Sequence, residues 1–84
     1  MGTNNGHILF VGNLSTRITE SELRAMVEAF GPVKDVKMRK ARSIGASCAF
    51  AFVEMIDKGA AARAIAELDG KSIDGRCLKL RIGF

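Results

Sequence analysis

A chain of 84 residues is the length of one small domain, and a content of 48% hydrophobic and 26% charged residues is typical of a folded globular protein rather than a disordered tail. Thirteen Lys and Arg against nine Asp and Glu give a net charge of +4, a moderate bias towards anionic partners. No apolar run approaches the 18 or so residues that a membrane span needs, and the charged start and apolar region of a signal peptide are missing, so we expect an intracellular protein that does not cross a membrane.

The first half of the chain predicts a strand, a helix and a second strand. Residues 1–6 are polar and rich in Gly and Asn, which predicts a flexible lead-in ahead of one domain over residues 7–84. The β-prone run over residues 8–11 is typical of a buried central strand that ends at Gly12-Asn13. Thr19 and Glu22 have the spacing of a capping box, which predicts a helix start. One apolar face of that helix is formed by residues at helical spacing: Leu23, Met26, Val27 and Phe30.

The second half predicts two more strands and another helix. Residues 33–40 and 48–55 alternate between two faces, as half-exposed strands do, and a loop over residues 41–47 joins them. Asp57 is a candidate N-cap for a helix that ends at Gly70. Its apolar stripe contains Ala61, Ala64, Ile65 and Leu68. After a turn, the last strand is expected to point three residues at the core: Leu78, Leu80 and Ile82.

The resulting order, β-α-β-β-α-β, predicts an α+β domain of the ferredoxin-like type. Its sheet has four antiparallel strands, and both helices pack on one face. The two cysteines, Cys48 and Cys77, fall on strands that the usual order of this fold separates by the first strand. With no CxxC spacing, they indicate reduced thiols rather than a disulfide or a metal site.

The other face of this sheet is expected to be open, and its composition is unusual. Strand alternation places these residues on it: Ile8, Phe10, Asp35, Lys37, Arg39, Cys48, Phe50, Phe52, Glu54, Cys77, Lys79 and Arg81. Three of the five phenylalanines of the chain then face solvent together, although burial of an aromatic side chain is favourable. Rings surrounded by Lys and Arg suit single-stranded nucleic acid, because bases stack on the rings and cations attract phosphates.

The alternative is that Phe50 and Phe52 belong to the core and the strand has the opposite phase. A shift by one residue would bury Cys48 and Glu54 and expose Val53 and Met55, so it is the less favourable arrangement.

Two segments resemble the sequence motifs of the RNA recognition motif (RRM) family. Residues 9–14, LFVGNL, are similar to its hexamer motif, and residues 48–55, CAFAFVEM, to its octamer motif. The likeness extends over residues 8–82 and has both motifs on the expected strands, the first and the third. It implies the RRM fold and RNA binding.

The resemblance also implies roles for individual residues. Phe10 and Phe52 take the positions of stacking rings, and Phe50 that of the ring that packs against sugars. Cys48 stands where the family has Lys or Arg, so the phosphate contact of that position is missing. The cations near the 41–47 loop, Arg39, Lys40 and Arg42, either compensate in part or are only solubilising charges. The predicted RNA-binding residues are Phe10, Phe50, Phe52, Lys37, Arg39, Lys79, Arg81, Asn13 and Arg42.

We therefore expect a monomeric, non-catalytic module for single-stranded RNA, with no cofactor and no metal, because no acid, base and nucleophile converge. Single-stranded DNA stays open as a ligand. The compartment would be the cytoplasm in a bacterium, and otherwise the nucleus or an organelle. The alternative function is a protein-interaction module that uses the helical face, whose acidic residues are Glu20, Glu22, Glu28, Glu67 and Asp69. The retained aromatic residues favour nucleic acid.

Overall fold

The computed structural model describes residues 7–40 and 48–83. The predicted lead-in over residues 1–6, the loop over residues 41–47 and residue 84 lie outside the described residues. The elements in chain order are β1 Ile8–Ser15, α1 Glu20–Glu28, β2 Val33–Lys40, β3 Cys48–Met55, α2 Lys58–Leu68, β4 Ser72–Ile73, β5 Arg76–Cys77 and β6 Lys79–Ile82.

The main sheet has the strand order β2-β3-β1-β6, and every neighbouring pair is antiparallel. Strands β4 and β5 form a separate two-stranded hairpin. This architecture confirms the predicted α+β fold with a four-stranded antiparallel sheet and two helices. It also confirms that β1 lies between β3 and the last strand. Within the described part of the chain, no helix is both long and apolar enough to cross a membrane.

Both helices begin where the sequence predicts. The Thr19 hydroxyl accepts a hydrogen bond from the Glu22 amide at 3.1 Å, and the Glu22 carboxylate accepts one from the Thr19 amide at 2.9 Å, which completes a capping box. The Asp57 carboxylate caps α2 by accepting from the Ala60 amide at 3.1 Å. Gly70, with φ of +83°, follows the end of α2 in the left-handed region that favours glycine.

The core lies between the helices and one face of the sheet. It contains residues from every long element of the described chain: Leu9, Val11, Leu14, Leu23, Val27, Val33, Val36, Ala49, Ala51, Val53, Met55, Ala60, Ala61, Ala64, Leu68, Leu78 and Leu80. Small alanines on the buried side of α2 allow its backbone to approach the sheet closely.

Three details differ from the sequence-based expectation. Strand β1 does not end at Gly12-Asn13 but continues to Ser15, because a bulge between Val11 and Leu14 absorbs the irregularity and Asn13 adopts φ of +59°. The predicted last strand is divided at Leu78: Cys77 belongs to β5, which pairs with β4 in the hairpin, and Lys79–Ile82 form β6 in the main sheet. Ile82 is 40% exposed rather than buried, because β6 is an edge strand with β1 on one side only.

Candidate nucleic-acid interface

Three phenylalanine rings lie together on the face of the sheet opposite the helices. We call Phe10, Phe50 and Phe52 the aromatic platform. The ring centroids of Phe10 and Phe52 are 5.5 Å apart, those of Phe10 and Phe50 are 6.0 Å apart, and those of Phe50 and Phe52 are 6.2 Å apart. All three side chains are only partly buried, whereas their neighbours Leu9 and Ala51 are fully buried on the other face. The predicted strand phase is therefore confirmed, and the alternative that places Phe50 and Phe52 in the core is wrong.

The strand register places cations beside the platform. Phe10 of β1 pairs with Phe52 of β3, and the two outer positions of the same row are Lys37 on β2 and Arg81 on β6. This row, Lys37–Phe52–Phe10–Arg81, crosses the whole sheet, and both of its cations are exposed. The two rings thus have a positive charge at each end of their row.

The next row of the sheet also combines a phenylalanine ring with exposed cations. Arg39 pairs with Phe50, and Lys79 pairs with Gly12, which lies within the β1 bulge. Both cations are exposed. The fold therefore brings together seven of the nine predicted site residues in two adjacent rows. Arg42 lies outside the described residues, as does the side chain of Cys48.

The third row is acidic. Asp35 on β2 pairs directly with Glu54 on β3, and Glu54 pairs with Ile8 on β1. The Lys34 ammonium lies 3.8 Å from the Glu54 carboxylate. The open face therefore changes from basic to acidic along the strand direction, within the length of β3.

Two glycines leave room for the rings of the aromatic platform, because each lacks a Cβ atom that would contact them. A Cβ atom at Gly12 would lie 2.8 Å from Cε2 of Phe10, so the ring leans over a position without a side chain. A Cβ atom at Gly83 would lie 3.4 Å from both Cβ of Phe10 and Cδ1 of Phe52. The Gly83 amide donates a hydrogen bond to the Ile8 carbonyl at 2.6 Å, which holds the chain after β6 beside the platform. The hexamer motif contains Gly12, but no sequence signal pointed to Gly83.

Asn13 occupies the bulge and connects β1 to the β4–β5 hairpin. Its side-chain N–H donates to the Cys77 carbonyl at 2.8 Å, and its side-chain oxygen accepts from the Arg76 guanidinium at 3.0 Å. An asparagine amide has two donors and two lone pairs, so one of each stays available for a ligand. Sequence analysis missed Arg76, because the two-residue strands of the hairpin show no periodicity.

A second set of polar contacts holds the same hairpin. The Ser15 hydroxyl donates to the Asp74 carboxylate at 2.6 Å, and the Arg17 guanidinium lies 3.6 Å from that carboxylate. The Cys77 thiol is exposed and is not part of a disulfide. Among residues 7–40 and 48–83, no three His, Cys, Asp or Glu side chains cluster in a way that would hold a metal ion.

Known proteins with similar sequences carry RNA-binding names. Glycine-rich RNA-binding protein 2, a mitochondrial protein of Arabidopsis thaliana, is 42% identical over 72 residues, which make up 86% of this chain and 46% of that protein. The chain thus spans about half the length of this relative. RbpD of Nostoc sp., provisionally named as RNA-binding, is 43% identical over 72 residues, 86% of this chain and 77% of that protein.

The fold of this chain is also similar to the folds of solved structures. The RRM of Rna15 with bound RNA (GU) matches with a TM-score of 0.78 and 28% identity, over 90% of this chain and 81% of that chain. A sequence model described as the RNA recognition motif matches residues 9–79, which include both motifs and four of the five longest elements in full. With its motifs, its strand order and its relatives in agreement, this chain belongs to the RNA recognition motif family.

Proposed function

We propose that this domain binds single-stranded RNA on the open face of its sheet and does not catalyse a reaction. The observation that carries the proposal is the row Lys37–Phe52–Phe10–Arg81, in which two partly exposed rings lie between two exposed cations. The RNA-binding names of the relatives and the RNA bound to the Rna15 RRM support it.

Each predicted site residue has a role in this proposal. Phe10 and Phe52 each stack one base, and Phe50 packs against the sugars between neighbouring nucleotides. The cations attract phosphates: Lys37, Arg39, Lys79, Arg81 and Arg42. Asn13 contributes the N–H and the lone pair that its contacts to the hairpin leave available.

The expected affinity is moderate. Each base stacked on an aromatic ring contributes about 1–3 kcal/mol, and the cations add an attraction that weakens with salt. After the free-energy cost of association, we expect a Kd in the micromolar range for about two to four nucleotides. Single-stranded DNA belongs to the proposal as an alternative ligand, because rings and cations recognise the bases and phosphates that both nucleic acids have.

The proposal includes a monomeric protein inside the cell. The relatives named above are mitochondrial and cyanobacterial proteins, which supports an intracellular location. The compartment would be the cytoplasm in a bacterium, and the nucleus or an organelle in another organism.

Binding of a protein partner on the helical side is the second candidate function. A depression of about 420 Å³ lies there between α1 and the β4–β5 hairpin, lined in part by Ile18, Met26 and Ile73. The predicted acidic surface gives it less support, because Glu22, Glu28 and Asp69 make contacts within the domain. The two surfaces are on opposite sides, so a protein partner and RNA are compatible.

Fluorescence anisotropy with a labelled, degenerate single-stranded RNA octamer tests the proposal. The label belongs on the RNA, because the chain has no Trp or Tyr. We expect a micromolar Kd that increases with salt, and competition by unlabelled single strands but not by a duplex. Absence of binding to about 100 µM folded protein at low salt contradicts the proposal and directs the search to the helical side.

A further inference from the structure

A small depression lies at the acidic end of the open face, next to one ring of the aromatic platform. Its volume is about 220 Å³, and it is lined by Ile8, Asp35, Lys37, Phe52 and Glu54. It therefore offers one aromatic ring, one aliphatic side chain, two carboxylates and one ammonium group within the reach of a single base.

The two carboxylates are unfavourable for the domain by itself. Asp35 and Glu54 are directly opposite each other on neighbouring antiparallel strands, where like charges are destabilising. The Lys34 ammonium relieves this only in part, since a single contact of 3.8 Å from an exposed lysine side chain is a weak ion pair. The pair also repels phosphate, so it lowers the affinity for RNA in general.

A nucleic-acid base offers these carboxylates what phosphate does not, namely N–H donors. Asp35 uses one carboxylate oxygen to accept from the Val36 amide at 3.0 Å, which leaves the other available. The Glu54 side chain is 30% exposed, so its carboxylate is accessible from the depression. A base stacked on Phe52 would extend its hydrogen-bonding edge either over the acidic row of Asp35 and Glu54 or away from it.

We propose that this depression selects guanine, and this inference rests on the proposed function of the platform. Guanine has two adjacent donors on its Watson–Crick edge, N1–H and the N2 amino group, which match the available oxygen of Asp35 and the carboxylate of Glu54. Its O6 acceptor, next to N1–H, faces the Lys37 ammonium. No donor or acceptor on this edge is then opposed by a group of the same kind.

The other bases match less well. Uracil places acceptors on both sides of its single donor, so a carboxylate meets a lone pair on either side. Adenine and cytosine each have one amino donor next to a ring-nitrogen acceptor, so one of the two hydrogen bonds is replaced by repulsion. The expected order of affinity is guanine first, cytosine and adenine next, and uracil last.

The test compares labelled RNA octamers that differ at one position. The reference is U8, and the other probes carry one central G, A, C or inosine. Inosine keeps N1–H and O6 of guanine but lacks the N2 amino group. For the wild-type chain we expect the Kd of the G probe to be about tenfold below that of U8, the lower part of the range for a two-bond base contact. The inosine probe should lose most of this preference.

Two variants identify the carboxylates as the cause. Asp35→Asn and Glu54→Gln keep the side-chain size and remove one charge each, and either change should reduce the ratio of the U8 Kd to the G-probe Kd to about threefold or less. Glu67→Gln is the matched control, since Glu67 is an exposed carboxylate on α2 with the same change in charge. It should leave the ratio unchanged.

The ratio separates base selection from general electrostatics. If either variant changes the Kd of all probes by one common factor, the carboxylates act only on phosphates and the guanine proposal is wrong. Equal affinity of the wild-type chain for all five probes overturns it as well, but leaves RNA binding intact. No binding of any probe by folded protein overturns the proposed function and this inference with it.

Discussion

The two faces of strand β3 use apolar side chains in opposite ways. The face towards the helices has Ala49, Ala51 and Val53, which are completely or almost completely buried. The open face has Phe50 and Phe52, which are only partly buried. A domain selected for stability alone would have the larger apolar side chains inside, because burial of apolar area is the main stabilising contribution. The arrangement favours a ligand-binding role for the rings, while the small residues leave room for the helices.

The strongest test of this contrast removes two rings from the open face. Phe10→Ala/Phe52→Ala should lower the affinity for single-stranded RNA by at least about 30-fold, because each stacked base contributes about 1–3 kcal/mol. The rings are only partly buried and lie outside the core, so the double variant should stay folded at the temperature of the titration. Anisotropy titration and thermal denaturation measure the two effects. A double variant that stays folded and binds as tightly as the wild type would mean that the platform does not stack bases.

The neighbouring residue on β1 should give the opposite result. Leu9 is fully buried and points towards the helices, one position before Phe10. We expect Leu9→Ala to lower the free energy of unfolding by about 2–5 kcal/mol, because it leaves a cavity in the core. In a domain of this size each kcal/mol corresponds to about 4–8 °C in Tm, which denaturation by heat or urea detects.

The affinity of the fraction that remains folded should stay within about a factor of two of the wild type. If Leu9→Ala lowers the free energy of RNA binding by as much as it lowers the free energy of unfolding, the two faces are coupled. That result would contradict the division of roles between them.

The same contrast explains how much the sequence could predict. Alternation along β3 and the caps at Thr19 and Asp57 are local signals, and they were sufficient for the order of the long elements and for the phase of the platform. The register between strands is not local. It follows that the rows Lys37–Phe52–Phe10–Arg81 and Asp35–Glu54–Ile8 became visible only in the folded sheet.

Four features could not be predicted, each for a physical reason. The β1 bulge depends on Asn13 tolerating a positive φ while its amide binds the hairpin, and the hairpin strands are too short to show a period of two. The exposure of Ile82 follows from its place on an edge strand, which the alternation of β6 does not reveal. Gly83 approaches two rings only because β6 ends beside them.

Two glycines, one on each side of the sheet, allow a matched test of the roles of the two faces. A Cβ atom at Gly31 would lie 2.6 Å from Cβ of Ala60, between the end of α1 and the start of α2. We expect Gly31→Ala to destabilise the fold by about 1–3 kcal/mol through overpacking and to leave RNA affinity unchanged. Gly12→Ala is the matched variant, because its Cβ atom would displace the Phe10 ring instead. It should lower affinity several-fold with the smaller loss of stability, and the reverse pattern in denaturation and anisotropy would contradict the assignment of the two faces.

The smallest effect concerns the cations at the two ends of the first row. If Lys37 and Arg81 each neutralise one phosphate, replacing either with Gln should decrease the slope of log K against log salt concentration by about 0.7, and the double replacement by about 1.4. Lys58→Gln removes the same charge from the start of α2, away from the open face, and should leave the slope unchanged. Anisotropy titrations at four or more salt concentrations measure these slopes.

A slope that decreases equally in all three single variants would show that net charge, and not the position of Lys37 and Arg81 beside the rings, determines the attraction. A decrease confined to the two sheet residues would instead place phosphates at both ends of the row, so that the backbone of the RNA passes beside the rings while its bases lie on them.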